Sequence, residues 1–401
     1  MFGVLAAWTS PRARWRFVAI AAAALVAACS SSFNLGELLP NSTPSAPAQS
    51  TPNIGEGKVK IGLILPTSGS GNAAVAAQSM RNSAELALAE FNSPDIQLLV
   101  KDDGGTAQGA QQAAQQVLDE GAEIILGPLF ALTVGPVAQV ARGRGIPVIA
   151  FSTDANVAAH GVYLLSFLPE SDVDRIIGYA ASQGRRSFAA LVPDNAYGTV
   201  VEGAFKQQVA RRGGRVVALE RYPLDKTQMQ GPIKTVATAA AGHADAIFIP
   251  DGADAVPTVV QGLIGNGIDT KRIQLLGTGL WEDAQIFSNP ALDGAWYAGP
   301  DSTGFRNFSG RYRSRYGQDP VRTASLAYDA VALIAALVKT QGKQRFSEQI
   351  LTTSSGFTGT DGLFRFKPDG TNQRGLAIMR VSPTGGQIIN APPKAFGGSG
   401  T

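Results

Sequence analysis

The chain has 401 residues, a single cysteine and a formal net charge of +3, a length that holds roughly two domains at ~150 residues each. Three arginines, Arg12, Arg14 and Arg16, precede Cys29 with no acid among them, so the remainder is close to neutral. That balance excludes a basic nucleic-acid binder, and no nucleic-acid partner is expected.

The three arginines form a positive n-region, and the apolar run 17–28 behind them is too short to span a bilayer stably. It ends Leu25-Val26-Ala27-Ala28-Cys29, which resembles a bacterial lipoprotein signal. The resemblance implies cleavage before Cys29 and lipidation of its thiol, and Ser30, where an inner-membrane signal has aspartate, implies outer-membrane sorting. The alternative is an ordinary secretory signal with Cys29 falling near the cut. With Cys29 acylated no thiol is left for a disulfide, and the fold must rest on its core. Behind the signal peptide, 1–28, residues 29–57 are rich in Ser, Pro, Asn and Ala without an apolar period, and are expected to be a flexible tether. Residues 391–401 read as a disordered tail.

An apolar strand is expected over 58–65, ending in the loop 67–71. Helix 72–91 follows, with Val75, Ser79, Asn82, Leu86 and Ala89 on its apolar or small face. Strand 96–101 runs into Asp102 and Asp103, and Thr106 caps a helix over 106–119. The stretch 121–153 organises the rest of the chain. A short apolar run at 123–126 is broken by Gly127 and Pro128. Leu132, Val134, Val137, Val140 and Ala141 then recur at helical spacing until Gly143 and Gly145, and a second apolar run covers 147–151. A right-handed crossover makes the two strands parallel neighbours. Loops 129–133 and 152–154 therefore share one carboxyl edge, where open α/β sheets bind ligands.

After strand 162–167 the alternation restarts, with Ser171 capping a helix through 181. Strands 188–192, 215–219, 244–249 and 273–276 alternate with helices 197–211, 228–240 and 253–264, and a short helix lies near 283–287. Residues 294–297, helices 304–316 and 322–339, and a strand-rich end at 362–389 complete the chain. These alternating elements call for parallel sheets with helices on both faces. The expected fold is α/β: two Rossmann-like doubly wound lobes, the first from 58–168 and 300–352, the second from 169–299 and 353–390. The chain crosses between them near 167–171, 298–301 and 352–356, a three-crossing hinge over a cleft able to close.

The order of elements, with GPLFALTVGPVAQVARGRGIPVIAFST and VPDNAYGTVVEGAF, resembles the type I periplasmic binding proteins of the leucine/isoleucine/valine-binding class, over residues 58–389. Within that class AFSTDANV, LLSFLPESDV, LLGTGLWEDAQIF and ASLAYDAVAL look closest to lipoproteins that activate penicillin-binding proteins. The resemblance implies that Leu132 and Thr133, with Ser152, Thr153 and Asp154, offer hydroxyls and backbone N–H groups to a ligand carboxylate. Tyr197 closes over the ligand from the second lobe, and the loops holding Asp251 and Trp281 face it. Each has a plainer alternative: Thr133, Ser152 and Thr153 as caps or turn formers, Tyr197 as a half-buried aromatic, Trp281 as a plug. One departure stands out. Relatives that bind α-amino acids place a carboxylate where Gly279 stands; Glu282 is three residues on, while Glu170 or Asp172 survives near the first crossing. An ammonium without a counter-charge in a closed cleft costs several kcal/mol.

His160 and His243 have no metal-ligand spacing around them, and the chain has no His-Glu-x-x-His and no Gly-x-Ser-x-Gly. Gly69-Ser70-Gly71-Asn72-Ala73-Ala74 fits a loose dinucleotide fingerprint, but Asp102 and Asp103 come late for a ribose contact. A dinucleotide-dependent enzyme is thus the remote alternative, and no metal, cofactor or catalytic residue is expected. The reading is a non-enzymatic periplasmic lipoprotein that binds a small polar or amino-acid-like solute for an ABC-type permease. Its rival is an outer-membrane platform that activates a membrane-anchored peptidoglycan synthase.

Overall fold

The computed structural model describes residues 52–91 and 94–396, all within one compact unit. Cys29 and the leader lie outside the described residues. Five apolar runs become the strands β1 (Val59–Leu65), β2 (Ile96–Asp102), β3 (Ile124–Leu126), β4 (Val148–Ala150) and β5 (Val162–Leu164), all parallel, in the order β2-β1-β3-β4-β5. They read as unbroken apolar runs because both faces are covered. Ile61, Leu63 and Leu65 point into one core, and Ile64, Leu99 and Ile125 into another. The second core packs under α2 (Ala107–Asp119) and α3 (Ala131–Gly143), while α1 (Asn72–Glu90) covers the first. Thr106 caps α2, its hydroxyl accepting from Gly109 N at 3.0 Å.

The second lobe starts with α4 (Pro169–Ser182), β6 (Ser187–Pro193), α5 (Ala196–Arg211), β7 (Arg215–Tyr222), α6 (Gln230–Ala240) and β8 (Ala246–Phe248). It continues through α7 (Val256–Gly265), β9 (Gln274–Gly277), the single turn α8 (Ala284–Phe287) and β10 (Trp296–Gly299). Helix α4 begins at Pro169, not at Ser171, because proline pre-sets the first helical φ and has no N–H to orphan. The chain then returns to the first lobe. There α9 (Ser302–Tyr316) and α10 (Ala324–Thr340) pack beside α1, and the turn α11 (Glu348–Leu351) leads on.

The third crossing lies elsewhere than expected. Strands β11 (Phe357–Gly359), β12 (Gly362–Phe366) and β13 (Asn372–Arg374) form a separate antiparallel sheet. It belongs with the first lobe, because Phe364 and Phe366 enter that core and Gly370 O accepts from Leu164 N at 2.8 Å. Only β14 (Ala377–Ser382) and β15 (Gly385–Asn390) join the second sheet, whose order is β15-β14-β10-β9-β8-β6-β7. The crossing is therefore at 375–376, and 353–374 is first-lobe chain. Both ends of the body are also more ordered than the expected tether and tail. Ile54 pairs with Leu98 on the otherwise open edge of β2, which needs partners for its peptide groups. Phe396 lies under the Arg365 guanidinium at 4.7 Å. No described helix is long and apolar enough to cross a membrane.

Candidate ligand cleft

The crossings after β5 and β10 leave from carboxyl ends, and Ala377 enters β14 opposite Gly299. The carboxyl edges of both sheets therefore face each other across the hinge, and the loops there form the cleft. On the first-lobe side the loops after β2, β3 and β4 meet. Asp103 is fully buried, its Oδ1 accepting from Gly105 N at 2.9 Å, and burial raises its carboxyl while the Thr133 hydroxyl beside it pulls the other way. Thr133 is also buried, and its hydroxyl donates to Phe130 O at 2.9 Å. Leu132 stands out, 67% exposed, with Phe130 and Val75 exposed as well. In the next loop Ser152 is buried and accepts from Asp154 N at 3.1 Å. Asp154 Oδ1 in turn accepts from Asn156 N at 2.9 Å, and Thr153 is exposed. The Thr133 hydroxyl is thus occupied in its own turn, whereas the Ser152 hydroxyl, among the described residues, only accepts and keeps its O–H free to donate.

On the second-lobe side Asn195 caps α5 and sets Tyr197 at its start, with the phenol 3.3 Å from the buried Thr278 hydroxyl. Burial raises the Tyr197 phenol, so it stays a neutral donor. Tyr222 donates to Asp251 Oδ2 at 2.5 Å, and Gly252 N donates to Asp251 Oδ1 at 2.7 Å. Trp281 corrects the expectation of a ligand-facing ring. It is 0% exposed and its Nε1 donates to Ile249 O at 3.2 Å. A side chain at Gly277 would collide with the ring, so that glycine leaves the space Trp281 fills in the core.

The vacancy at Gly279 has an occupant. Asp172, in the first turn of α4, accepts from Gly279 N at 3.0 Å. Its carboxyl is raised to about 7, by burial first, against the Gly279 N–H and the nearby Arg374 and Arg322, which lower it. Of the two acids left open by the sequence, Asp172 is the one brought to this loop.

Sequence reasoning missed an ionic group beside it, in which Arg322 is exposed and Asp361, Arg374 and Asp329 are buried. Arg322 holds Asp361 through two nitrogens, at 3.1 and 2.6 Å, and Asp361 is fully buried. Arg374 is 5% exposed, donates from Nε to Ser166 O at 2.8 Å, and has no hydrogen-bond partner for its other two nitrogens among the described residues. Asp329, 2% exposed, accepts from Thr360 N at 2.7 Å, and burial raises it to about 6. The rings of Phe305 and Phe167 take Arg322 at 4.3 and 4.5 Å; Phe167 and Phe364 take Arg374 at 4.5 and 5.6 Å. One signal was present in the sequence: Asp329 is the single acid in the apolar helix ASLAYDAVALIAALV. Among the described residues no cluster of metal-binding side chains occurs.

A periplasmic binding protein family model matches residues 58–387. A putative branched-chain amino acid ABC transporter protein from Rhodospirillum rubrum superposes with a TM-score of 0.73 at 20% identity, over 82% of this chain and 99% of that one. A Leu/Ile/Val-binding protein homolog from Brucella abortus is 23% identical over 55% of this chain and 58% of its own length. The penicillin-binding protein activator LpoA of Vibrio cholerae is 29% identical over 28% of this chain and 19% of its own. The matched region thus spans little more than half of one curated relative and a fifth of the other. The two-lobed architecture, the cleft at facing carboxyl edges and the match over 58–387 agree: the chain belongs to the periplasmic binding protein family.

Proposed function

We propose that this chain is a non-enzymatic solute receptor, closing on a small polar ligand that carries an amino group and presenting it to an ABC-type permease. The observation that carries this reading is the Asp172 carboxylate against Gly279 N, which supplies the counter-charge that Gly279 lacks. A ligand carboxylate would face the first-lobe loops at Leu132 to Thr133 and Ser152 to Asp154, with Tyr197 and Asp251 closing from the other side. Thr133 would act through backbone placement, since its hydroxyl donates to Phe130 O, while Ser152 would still have its O–H to offer the ligand. Trp281 supports the second lobe from within.

Calorimetry of the chain against a panel of amino acids and amines at pH 8 tests this. We expect at least one solute to bind, and Asp172→Asn to weaken it by tenfold or more. Absence of heat and of any thermal shift across the panel would remove the receptor reading. A second reading, an outer-membrane lipoprotein that activates a peptidoglycan synthase, is favoured by the partial likeness to LpoA; co-purification with a penicillin-binding protein, without any solute effect, would support it. Both readings anchor the chain through lipid on Cys29. Labelled palmitate should enter the wild-type chain and not Cys29→Ala, and label in the variant would exclude that anchor.

A further inference from the structure

We propose that the pole of the second lobe farthest from the cleft is a docking face for an anionic phospholipid surface. The strand order β9-β8-β6-β7 places four αβ loops side by side along one amino edge: 266–273, 241–245, 183–186 and 212–214. Arg186, Arg211, Arg215, Lys271 and Arg272 are exposed there, with Arg185 half-buried among them. The loops are tied together: Arg215 N donates to Arg186 O at 2.8 Å, and Arg186 Nη1 reaches Arg212 O at 3.5 Å. Of the cations on this edge only Arg212 has a carboxylate within 4 Å among the described residues, Asp174 at 3.0 Å.

The acids on the edge bond to backbone, and against the burial that raises it, the Arg185 and Arg215 charges near Asp245 help hold its carboxyl below the usual range. Asp245 accepts from the N–H groups of Arg186 and Ser187, both at 2.8 Å, and Asp269 accepts from Lys271 N at 2.9 Å. Asp293, exposed in the loop before β10, lies one strand further out. In the first lobe Lys101, Arg144, Arg311, Arg313, Arg315 and Arg345 each contact a carboxylate, while Arg142, Arg306 and Lys343 have none within 4 Å among the described residues. In a chain close to neutral, this edge carries more cations than acids, an excess that an anionic partner would offset.

The partner is a lipid surface rather than a soluble polymer because part-exposed apolar side chains lie at the same edge as the cations. Val216 is 38% exposed at the start of β7 and Ile264 is 39% exposed at the end of α7. Guanidinium forks match phosphate oxygens, and apolar side chains beside them suit the boundary beneath the headgroups. The face lies at the opposite edge of the sheet from the cleft, so docking leaves ligand binding open. This inference does not depend on what the cleft binds.

The test is sedimentation of the chain from residue 30 onward, which lacks the basic apolar leader, with phosphatidylcholine vesicles, with and without phosphatidylglycerol. We expect added phosphatidylglycerol to increase the bound fraction and added salt to abolish the increase. Arg186→Glu/Arg211→Glu/Arg215→Glu should reduce the phosphatidylglycerol-dependent binding by about tenfold or more, and the matching Gln variant by less. Arg142→Glu/Arg306→Glu/Lys343→Glu, an equal charge change on the first lobe, should leave it within twofold. Equal losses in the two Glu variants, or no response of the wild type to phosphatidylglycerol, would overturn the proposal. So would retention on purified peptidoglycan sacculi with none on vesicles.

Discussion

At Gly279 a missing side chain is replaced by one from 107 positions away, since Asp172 delivers its carboxylate to the Gly279 N–H. Because that carboxyl is raised to about 7, it is largely protonated below neutrality and ionised above it. A ligand ammonium favours the ionised form, so affinity should fall as pH drops from 8 to 6, with Asp172→Asn weak and flat over the same range. Calorimetry at several pH values checks this, and a pH-independent wild type would separate Asp172 from the ligand. Asp329 makes the complementary statement about folding. Its folded carboxyl is raised to about 6 from an ordinary 3.8, so the folded state binds the proton more tightly. The stability this contributes is present below about 4 and is lost as pH rises through about 6. Asp329→Asn should therefore gain on the wild type by up to about 3 kcal/mol between pH 4 and pH 7.5. Urea unfolding at both pH values measures it, and a constant difference between the two proteins would show that Asp329 does not titrate in that window.

Among the elements, the loop after β9 was legible as a cleft loop, but the direction of its tryptophan was not. Whether a ring faces solute or core depends on the space beneath it, here the absent side chain of Gly277. Trp281→Ala should cost about 3–5 kcal/mol of stability, as other large core truncations do. A stable variant with weakened ligand binding would return Trp281 to the cleft. The parallel strands could be read from sequence because burial on both faces leaves unbroken apolar runs such as Ile124 to Leu126. Strands β11 to β13 could not be assigned to their lobe. Their sequences mix Phe364 and Phe366 with Asn372, Gln373 and Arg374, and what places them is contact with Tyr163 and Leu164, some two hundred residues earlier. The ionic group escaped for the same reason: Arg322 and Asp361 are 39 positions apart and no periodicity relates them. Asp172 was visible only as one of two acids, because its partner is a backbone N–H that carries no sequence signal.

Over the whole molecule, the three crossings converge on one stack of side chains. Phe167 belongs to the first crossing, Phe305 follows the second on α9, and Arg374 ends β13 just before the third. The order Phe305, Arg322, Phe167, Arg374, Phe364 places a ring between the two guanidinium groups, so Phe167 is held from both faces. Each cation–ring contact is worth roughly 0.5–2 kcal/mol depending on burial. A closing hinge must keep this stack or slide along it. Ligand at a hundredfold excess over its dissociation constant should stabilise the chain by about 2.7 kcal/mol by mass action and shrink its radius of gyration in solution scattering. Phe167→Leu keeps an apolar side chain of similar bulk but loses the ring faces, leaving two like charges without their separator. We expect this variant to fold, to scatter as a more open particle without ligand, and to bind more weakly although no cleft contact has changed. Wild-type scattering and affinity in Phe167→Leu would show that the stack only packs the crossings together and does not set the angle between the lobes.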